Sequence, residues 1–163
     1  RKNFLSAFFF FFCENYATIA GKNEDLQLAY EIQLLSTSFT DILAENLPKD
    51  KVLQRTSRGV HRDDIGIYLN DCAFKTEASQ GQKKSLLFAI KLAEWEYLKK
   101  TIGIPPILLL DDVFEKLDEN RMAHLLDQVC SNHFGQVFIT DTHADRIKDK
   151  LDQTGSPYQL ILL

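Results

Sequence analysis

Two adjacent carboxylates, Asp111 and Asp112, directly follow a short run of aliphatic residues, Ile107 to Leu110. Such a run is typical of a buried strand in a parallel sheet, and open α/β sheets bind ligands beyond the carboxyl ends of their strands. Neighbouring carboxylates repel each other unless a cation or a shared proton compensates their charge. Magnesium meets that need because it binds one or two carboxylates together with water and phosphate oxygens. The alternative is a pair of solvated acids at a strand end.

A second candidate site lies at the start of a long predicted helix. Ser79 precedes Gln80-Gly81-Gln82, and Lys83-Lys84 follows in the first turn. Free backbone N–H groups and the helix dipole make such a start an anion site that suits phosphate. The positive charges of the two lysines interact unfavourably with the helix dipole unless an anion lies nearby. Their presence therefore mildly favours an anion site over an ordinary Ser79 N-cap.

Three further polar segments stand out. The run His61-Arg62-Asp63-Asp64, taken by itself, is typical of a surface ion-pair cluster, which contributes little to stability. Asp118 is suited to cap a helix. His143 lies shortly after a predicted strand over residues 136–140.

Apolar periodicity predicts the elements that position these residues. They are a helix over residues 1–19, a half-buried strand over 27–34, a short helix capped by Ser36 or Thr37, another from Pro48 towards Arg55, and strands at 65–69 and 158–163. The helix after Ser79 is expected to bury Leu86, Ala89, Ile90, Ala93 and Tyr97, and the helix after Asp118 to bury Met122, Leu125, Leu126 and Val129. Strands alternate with helices from residue 81 onward, which predicts an α/β fold with a largely parallel sheet.

Composition narrows the class of protein. The 163 residues carry a net charge of −4, so there is no overall basic footprint for nucleic acid, although a local basic patch stays open. The 3 cysteines are widely spaced, which indicates a reducing cytoplasm without a disulfide framework or a zinc site. The phenylalanine run from Phe8 to Phe12 sits in an apolar stretch far shorter than the ~20 residues that span a bilayer, so no membrane association is expected.

Four motifs in this order resemble the C-terminal half of RecF, a family related to the SMC proteins within the ABC-type ATPases. Residues 79–82 are similar to the ABC signature motif, residues 107–112 to the Walker B strand, and Leu117-Asp118 to the D-loop. Residues 59–64 are similar to the Gly-Pro-His-Arg-Asp-Asp segment typical of RecF. The resemblance implies part of a helical arm domain over residues 1–58 and the C-terminal lobe of an ATPase head over residues 59–163.

The resemblance also implies roles for the site residues. Asp111 would hold Mg²⁺, and Asp112 would orient or deprotonate the water that attacks the γ-phosphate of ATP. Asp118 would cross a dimer interface towards the partner's phosphate-binding loop. The signature motif would contact ATP held by a second copy of the protein, through Ser79, Gly81 and Gln82.

The sequence departs from the family pattern at several positions. Val60 stands where the family usually has proline, and Glu115-Lys116 replaces the commoner Ser-Glu pair. His143 falls about two residues after the position of the γ-phosphate sensor in ABC-type ATPases. Two interpretations of His143 therefore stay open: a candidate sensor, or an exposed histidine at the start of a helix. No G-x-x-x-x-G-K-[ST] loop is present. We therefore expect this chain to be a piece of a longer protein that neither binds ATP tightly nor hydrolyses it by itself.

For the whole protein the resemblance implies a weak cytoplasmic ATPase that forms ATP-dependent dimers and binds DNA at gaps. It would act with RecO and RecR in recombinational repair and the SOS response. One alternative is a structural SMC-like head fragment whose acidic pair does not catalyse. Another is an unrelated Mg²⁺-dependent phosphotransfer domain, and the sequence lacks the additional acidic and lysine positions that a receiver or Toprim fold requires.

Overall fold

The computed structural model describes residues 2–31, 38–113, 115–131, 134–142 and 144–162. They divide into two compact units, one spanning Leu26–Glu77 and the other combining Arg1–Asp25 with Ala78–Leu163. The elements in chain order are α1 (Lys2–Ala20), β1 (Leu26–Glu31), α2 (Phe39–Leu53), a 3₁₀ turn (Val60–Arg62), β2 (Asp64–Leu69), β3 (Cys72–Ala73), α3 (Phe74–Glu77), α4 (Gln80–Ile102), β4 (Leu108–Asp111), α5 (Glu119–Cys130), β5 (Val137–Thr140) and α6 (Ala144–Thr154). The domain division near residue 58 stays a prediction.

The unit Leu26–Glu77 contains an antiparallel sheet in the order β1-β2-β3. Exposure alternates along β1, as predicted, because successive side chains of a strand point to opposite faces. Asn70 and Asp71 join β2 to β3 with φ values of 49° and 62°. Positive φ at both central residues is the geometry of a two-residue hairpin turn, which asparagine and aspartate adopt at low cost.

One continuous helix, α2, replaces the two short helices predicted for this region. Ser38 caps it by accepting a hydrogen bond from the N–H of Asp41. The predicted caps, Ser36 and Thr37, lie outside the described residues. Pro48 lies inside α2 instead of starting a second helix. Proline removes one backbone donor but fixes φ near the helical value, so the remaining hydrogen bonds continue the helix.

The predicted first helix is confirmed as α1, which packs against α4 and α5. Phe12, Tyr16 and Ile19 form its buried face at helical spacing. The phenylalanine run is not covered on all sides, because Phe10 is 66% exposed. Among the helices of the described residues, none combines the length and the apolar character needed to cross a membrane.

Helix α4 buries a face that only partly matches the predicted stripe, because Leu86, Ile90 and Tyr97 are only half-buried. Ala89 and Ala93 are buried as expected, and Phe88, Leu92 and Trp95 are buried as well. The Nε1–H of Trp95 donates a 2.7 Å hydrogen bond to the carbonyl of Pro106, just before β4. This contact links the end of α4 to the start of the strand that carries Asp111.

Strands β4 and β5 pair in parallel, with Leu108 opposite Val137 and Asp111 opposite Thr140. Helix α5 lies between these two strands in the chain. Its predicted core face is confirmed as buried: Met122, Leu125, Leu126 and Val129. The prediction of an α/β fold with a parallel sheet is therefore confirmed. The predicted last strand is wrong over residues 158–162, which form no strand. An apolar run becomes a strand only where a neighbouring backbone completes its hydrogen bonds, and no described strand pairs with these residues.

Candidate functional site

The parallel register brings two side chains together at the carboxyl edge of the β4–β5 sheet. Asp111 lies opposite Thr140, and the Thr140 hydroxyl donates a hydrogen bond to Oδ1 of Asp111. The N–H of Asp112 continues the pairing with a 3.0 Å hydrogen bond to the carbonyl of Thr140. The predicted acidic pair therefore stands at the edge where α/β sheets bind ligands.

A sharp change of backbone direction follows β4. Asp112 has a φ of 54°, in the left-handed region that aspartate tolerates better than most residues. Val113 is fully buried at 0% exposure, and Leu117 is buried nearby in sequence. These apolar anchors hold the turn, and Asp112 stays half-exposed.

Glu115 also belongs to the site. The sequence had marked it only as a departure from the family pattern. A hydrogen bond with Glu115 is the main cause that raises the pKa of Asp112, followed by partial burial and the negative charge of Glu115; the charge of Lys84 opposes the rise. The same hydrogen bond lowers the pKa of Glu115, and the Lys116 ammonium lowers it further. The neighbouring carboxyl groups therefore make proton binding more favourable at Asp112 and less favourable at Glu115.

The carboxylates at the end of β4 are suited to supply some of the oxygen ligands of a Mg²⁺ ion. Asp111 offers an exposed carboxylate oriented by Thr140, with Asp112 beside it. No group of three or more His, Cys, Asp or Glu side chains placed to hold a metal occurs among the described residues. Mg²⁺ needs no such cage, because it is usually bound by one or two carboxylates together with waters and phosphate oxygens. The residues present therefore fit a magnesium ion that arrives with a nucleotide.

Residues 79–82, the signature segment, form a complete helix cap. The Ser79 hydroxyl accepts from the N–H of Gln82 at 3.2 Å, and the Gln82 side chain accepts from the N–H of Ser79 at 2.9 Å. This reciprocal pair is a capping box. The N-cap at Ser79, which was the alternative to an anion site, is therefore present, and the anion site stays a prediction. Ser79 itself is exposed at the start of α4.

Gly81 lies close to residues 115–118, which we call the turn segment. A Cβ atom on Gly81 would lie 3.4 Å from the carbonyl oxygen of Lys116. Lys116 has a φ of 65°, so the backbone turns there in the left-handed region. The signature segment therefore lies against the backbone of the turn segment, with room for only a small side chain at position 81.

Asp118 ends the turn segment and caps α5, as predicted. Its Oδ1 accepts from the N–H of Arg121 at 2.9 Å, and its Oδ2 lies 3.4 Å from Nε of Arg121. The side chain of Asp118 remains 60% exposed. It can serve as a helix cap and still present an oxygen to a partner.

A buried polar cluster beneath the two segments had no clear signal in the sequence. Glu24 accepts hydrogen bonds from Arg121 Nη2, from Tyr16 Oη at 2.7 Å and from Gln82 Nε2 at 3.0 Å. Arg121 also donates to Ser85 Oγ at 3.1 Å. Burial by itself would raise the pKa of Glu24, but the hydrogen bonds from Tyr16 and Gln82 and the charge of Arg121 lower it below its usual value.

The segment His61 to Asp64 belongs to the unit Leu26–Glu77 and is held by contacts within that unit. Gly59 has a φ of 135° before it, and His61 Nε2 lies 3.2 Å from the carbonyl of Thr56. Asp63 Oδ2 accepts from the Tyr30 hydroxyl at 2.8 Å, while His61, Arg62 and Asp64 are exposed. The candidate sensor His143 lies outside the described residues.

Comparison with known proteins places these features in one family of sequences. No family model matches the chain. The DNA replication and repair protein RecF of Flavobacterium johnsoniae is 43% identical over 163 residues, which cover 100% of this chain and 45% of that protein. RecF of Bacteroides fragilis is 38% identical over 160 residues, covering 98% of this chain and 43% of the relative. The chain therefore spans less than half the length of these curated relatives.

Solved structures show the same relationship. A structure of the recombination mediator protein RecF-ATP in the RecFOR pathway superposes with a TM-score of 0.67 and 28% identity. The match covers 89% of this chain and 40% of that one. A structure described as RecF-ATPrS gives the same TM-score and identity.

Proposed function

Because this chain belongs to the RecF family over the C-terminal part that it matches, we propose that it forms the C-terminal lobe of an ATPase that dimerises on binding ATP and binds DNA during repair. The observation that carries the proposal is the Asp111–Asp112 pair at the edge of the β4–β5 sheet, held by Thr140. The full-length gene product would act in the cytoplasm at DNA gaps. Its proposed partners are RecO and RecR, in recombination and the SOS response.

The acidic pair would divide the chemistry of hydrolysis between its two members. Asp111 would hold the Mg²⁺ that neutralises charge on the phosphates. Asp112 would accept the proton of the attacking water, because a raised pKa makes its carboxylate a stronger base. His143 is a proposed sensor of the γ-phosphate.

The signature and turn segments would act on a second copy of the protein. Ser79 is exposed, and the start of α4 suits a phosphate oxygen because helix starts attract anions. Gly81 leaves room for close approach, and Gln82 keeps the segment in shape through the capping box. Asp118 would meet the partner across the interface.

The proposal is tested by measuring mass and phosphate release for the full-length gene product. ATP is expected to convert monomers to dimers in light scattering, and slow phosphate release should follow. ADP should support neither change. A protein that stays monomeric with ATP and releases no phosphate would refute the proposed ATPase cycle.

A structural head without catalysis is a second candidate, and one observation favours it. The neighbouring Glu115 raises the pKa of Asp112, which disfavours the ionised carboxylate that would act on water. The same experiment separates the two functions, since a structural head would dimerise with ATP but release no phosphate.

Replacing Ser79 by asparagine or by aspartate tests the signature segment without loss of the helix cap. Both residues cap helices about as well as serine, so the stability of α4 should change little. Aspartate adds a negative charge that repels phosphate, and we expect Ser79→Asp to abolish the ATP-dependent dimer while Ser79→Asn retains it. Equal dimerisation of the two variants in light scattering would show that Ser79 does not face a phosphate.

Replacing Glu115 by glutamine should shift the pH dependence of hydrolysis. Glu115 raises the pKa of Asp112, and Asp112 would act in its ionised form. Glutamine removes the negative charge and can donate to the Asp112 carboxylate, so the pKa of Asp112 should fall. The acidic limb of the pH–kcat profile is therefore expected to move to lower pH in the Glu115→Gln variant. A limb that stays in place or moves to higher pH would contradict the coupling.

DNA binding by the full-length gene product should weaken steeply as salt increases. Lys and Arg contacts with phosphates release counterions, so the logarithm of the affinity falls linearly with the logarithm of salt concentration. Fluorescence anisotropy of labelled gapped DNA across a salt series measures the slope. An affinity that is flat over that series would exclude direct phosphate contacts as the main source of binding.

A further inference from the structure

We propose that Glu24 and Arg121 are positioning residues that hold the signature segment and the turn segment in one fixed arrangement. The part of this inference that concerns ATP rests on the proposed function. The part that concerns the arrangement of the two segments rests on contacts within this chain.

A continuous series of side-chain contacts joins the two segments. In the signature segment, Gln82 caps Ser79 through one end of its amide and donates to Glu24 through the other, at 3.0 Å. Glu24 binds Arg121, whose Nε lies 3.4 Å from Oδ2 of Asp118 in the turn segment. Movement of either segment would therefore strain or break a contact of the Glu24–Arg121 pair.

The backbones of the two segments also pass close to each other. The position of a Cβ atom on Gly81 would lie 3.4 Å from the Lys116 carbonyl oxygen. Ser85, one turn further along α4, accepts from Arg121 and donates to the Gly81 carbonyl at 2.9 Å. Arg121 thus supports the same turn of α4 that contacts the turn segment.

Burial makes this pair suited to positioning. The side chains of Arg121 and Glu24 are only 10% and 6% exposed. Separating two buried charges leaves each without compensation, so the pair resists small displacements. The planar guanidinium reaches Glu24, Ser85 and Asp118 at once, which the single ammonium group of lysine cannot reproduce.

Amide hydrogen exchange of the full-length gene product without nucleotide tests the arrangement itself. The variant is Arg121→Lys. The control is Lys91→Met, because Lys91 also forms an ion pair, but its pair with Glu94 is exposed and lies within α4. Exchange is followed at the capping amides of both segments, which are Gln82, Lys83, Arg121 and Met122.

In Arg121→Lys, the amides of both segments should exchange about tenfold faster, the effect of losing one hydrogen bond to a charged group. The control should leave both sets unchanged. The milder variant Tyr16→Phe removes only the hydroxyl that donates to Glu24, and it should produce a smaller change of the same direction at both segments. Faster exchange restricted to the turn segment, or no change, would overturn the inference.

Steady-state kinetics then test the ATP-dependent part. Arg121→Lys should lower kcat about tenfold, with KM changed less than twofold, because the two segments act on ATP bound by the partner. ATP-dependent dimerisation should weaken in parallel. An unchanged kcat in an active enzyme would overturn the positioning role in catalysis. If the wild-type protein neither dimerises nor hydrolyses ATP, the proposed function fails, and hydrogen exchange still decides whether Glu24 and Arg121 link the segments.

Discussion

Replacing Asp112 by asparagine in the full-length gene product is expected to lower the rate of ATP hydrolysis by about 10²–10⁴-fold, the usual contribution of a general base. Asparagine keeps the shape of the side chain at the left-handed turn after β4 but cannot accept the proton of water. ATP binding and ATP-dependent dimerisation should persist, since neither requires that proton transfer. Single-turnover phosphate release measures the first effect, and light scattering with ATP measures the second.

The matched control is Asp127→Asn, which makes the same chemical change at an exposed position late in α5. Its hydrolysis rate should equal that of the wild type. Normal hydrolysis by Asp112→Asn would remove Asp112 from the role of base. Loss of nucleotide binding together with hydrolysis would assign Asp112 to binding the Mg²⁺–ATP complex.

Replacing Arg121 by methionine should destabilise α5 and its surroundings by about 3–5 kcal/mol, the usual cost of removing one partner of a buried ion pair. Glu24 would remain only 6% exposed with its main cationic partner gone. Hydrogen bonds from Tyr16 and Gln82 persist and should bring the cost towards the lower end of that range. The free energy of opening, measured by native-state hydrogen exchange at buried α5 residues such as Leu125, reports the loss.

Two variants show whether the loss arises from the buried charge. Lys91→Met breaks the exposed pair with Glu94 and should cost at most about 1 kcal/mol. The double variant Glu24→Gln with Arg121→Met removes both charges and should recover part of the stability lost in Arg121→Met. If the double variant were as unstable as the sum of its single changes, packing of the arginine stem would explain the loss instead.

Much of the local architecture follows from patterns a few residues long. Asp118 was predicted as an N-cap and Ser79 was considered as one, and both accept hydrogen bonds from backbone N–H groups three residues later. The aliphatic run before Asp111 predicted a buried parallel strand, and β4 is parallel to β5, but only Leu108 and Leu110 are buried, whereas Leu109 is 69% exposed. Such predictions succeed because caps, helical stripes and strand alternation depend on residues close together in the chain.

Errors arose where a local pattern depended on distant residues. Proline at position 48 suggested a new helix, but α2 continues through it. The apolar residues near the end of the chain suggested a strand, yet Leu162 is 76% exposed and residues 158–162 form no strand. Strand formation needs a pairing partner, which apolar character does not supply.

The sequence by itself determined the nature of the candidate site. Its parts are an acidic pair after a strand, a helix start at Ser79 that suits an anion, and a helix cap at Asp118. Only the tertiary structure decided how these parts are joined. Thr140 meets Asp111 across 29 residues of sequence, and Arg121 meets Glu24 across 97. Neither contact has a local pattern, because the path of the folded chain, and not the spacing of residues, brings these side chains together.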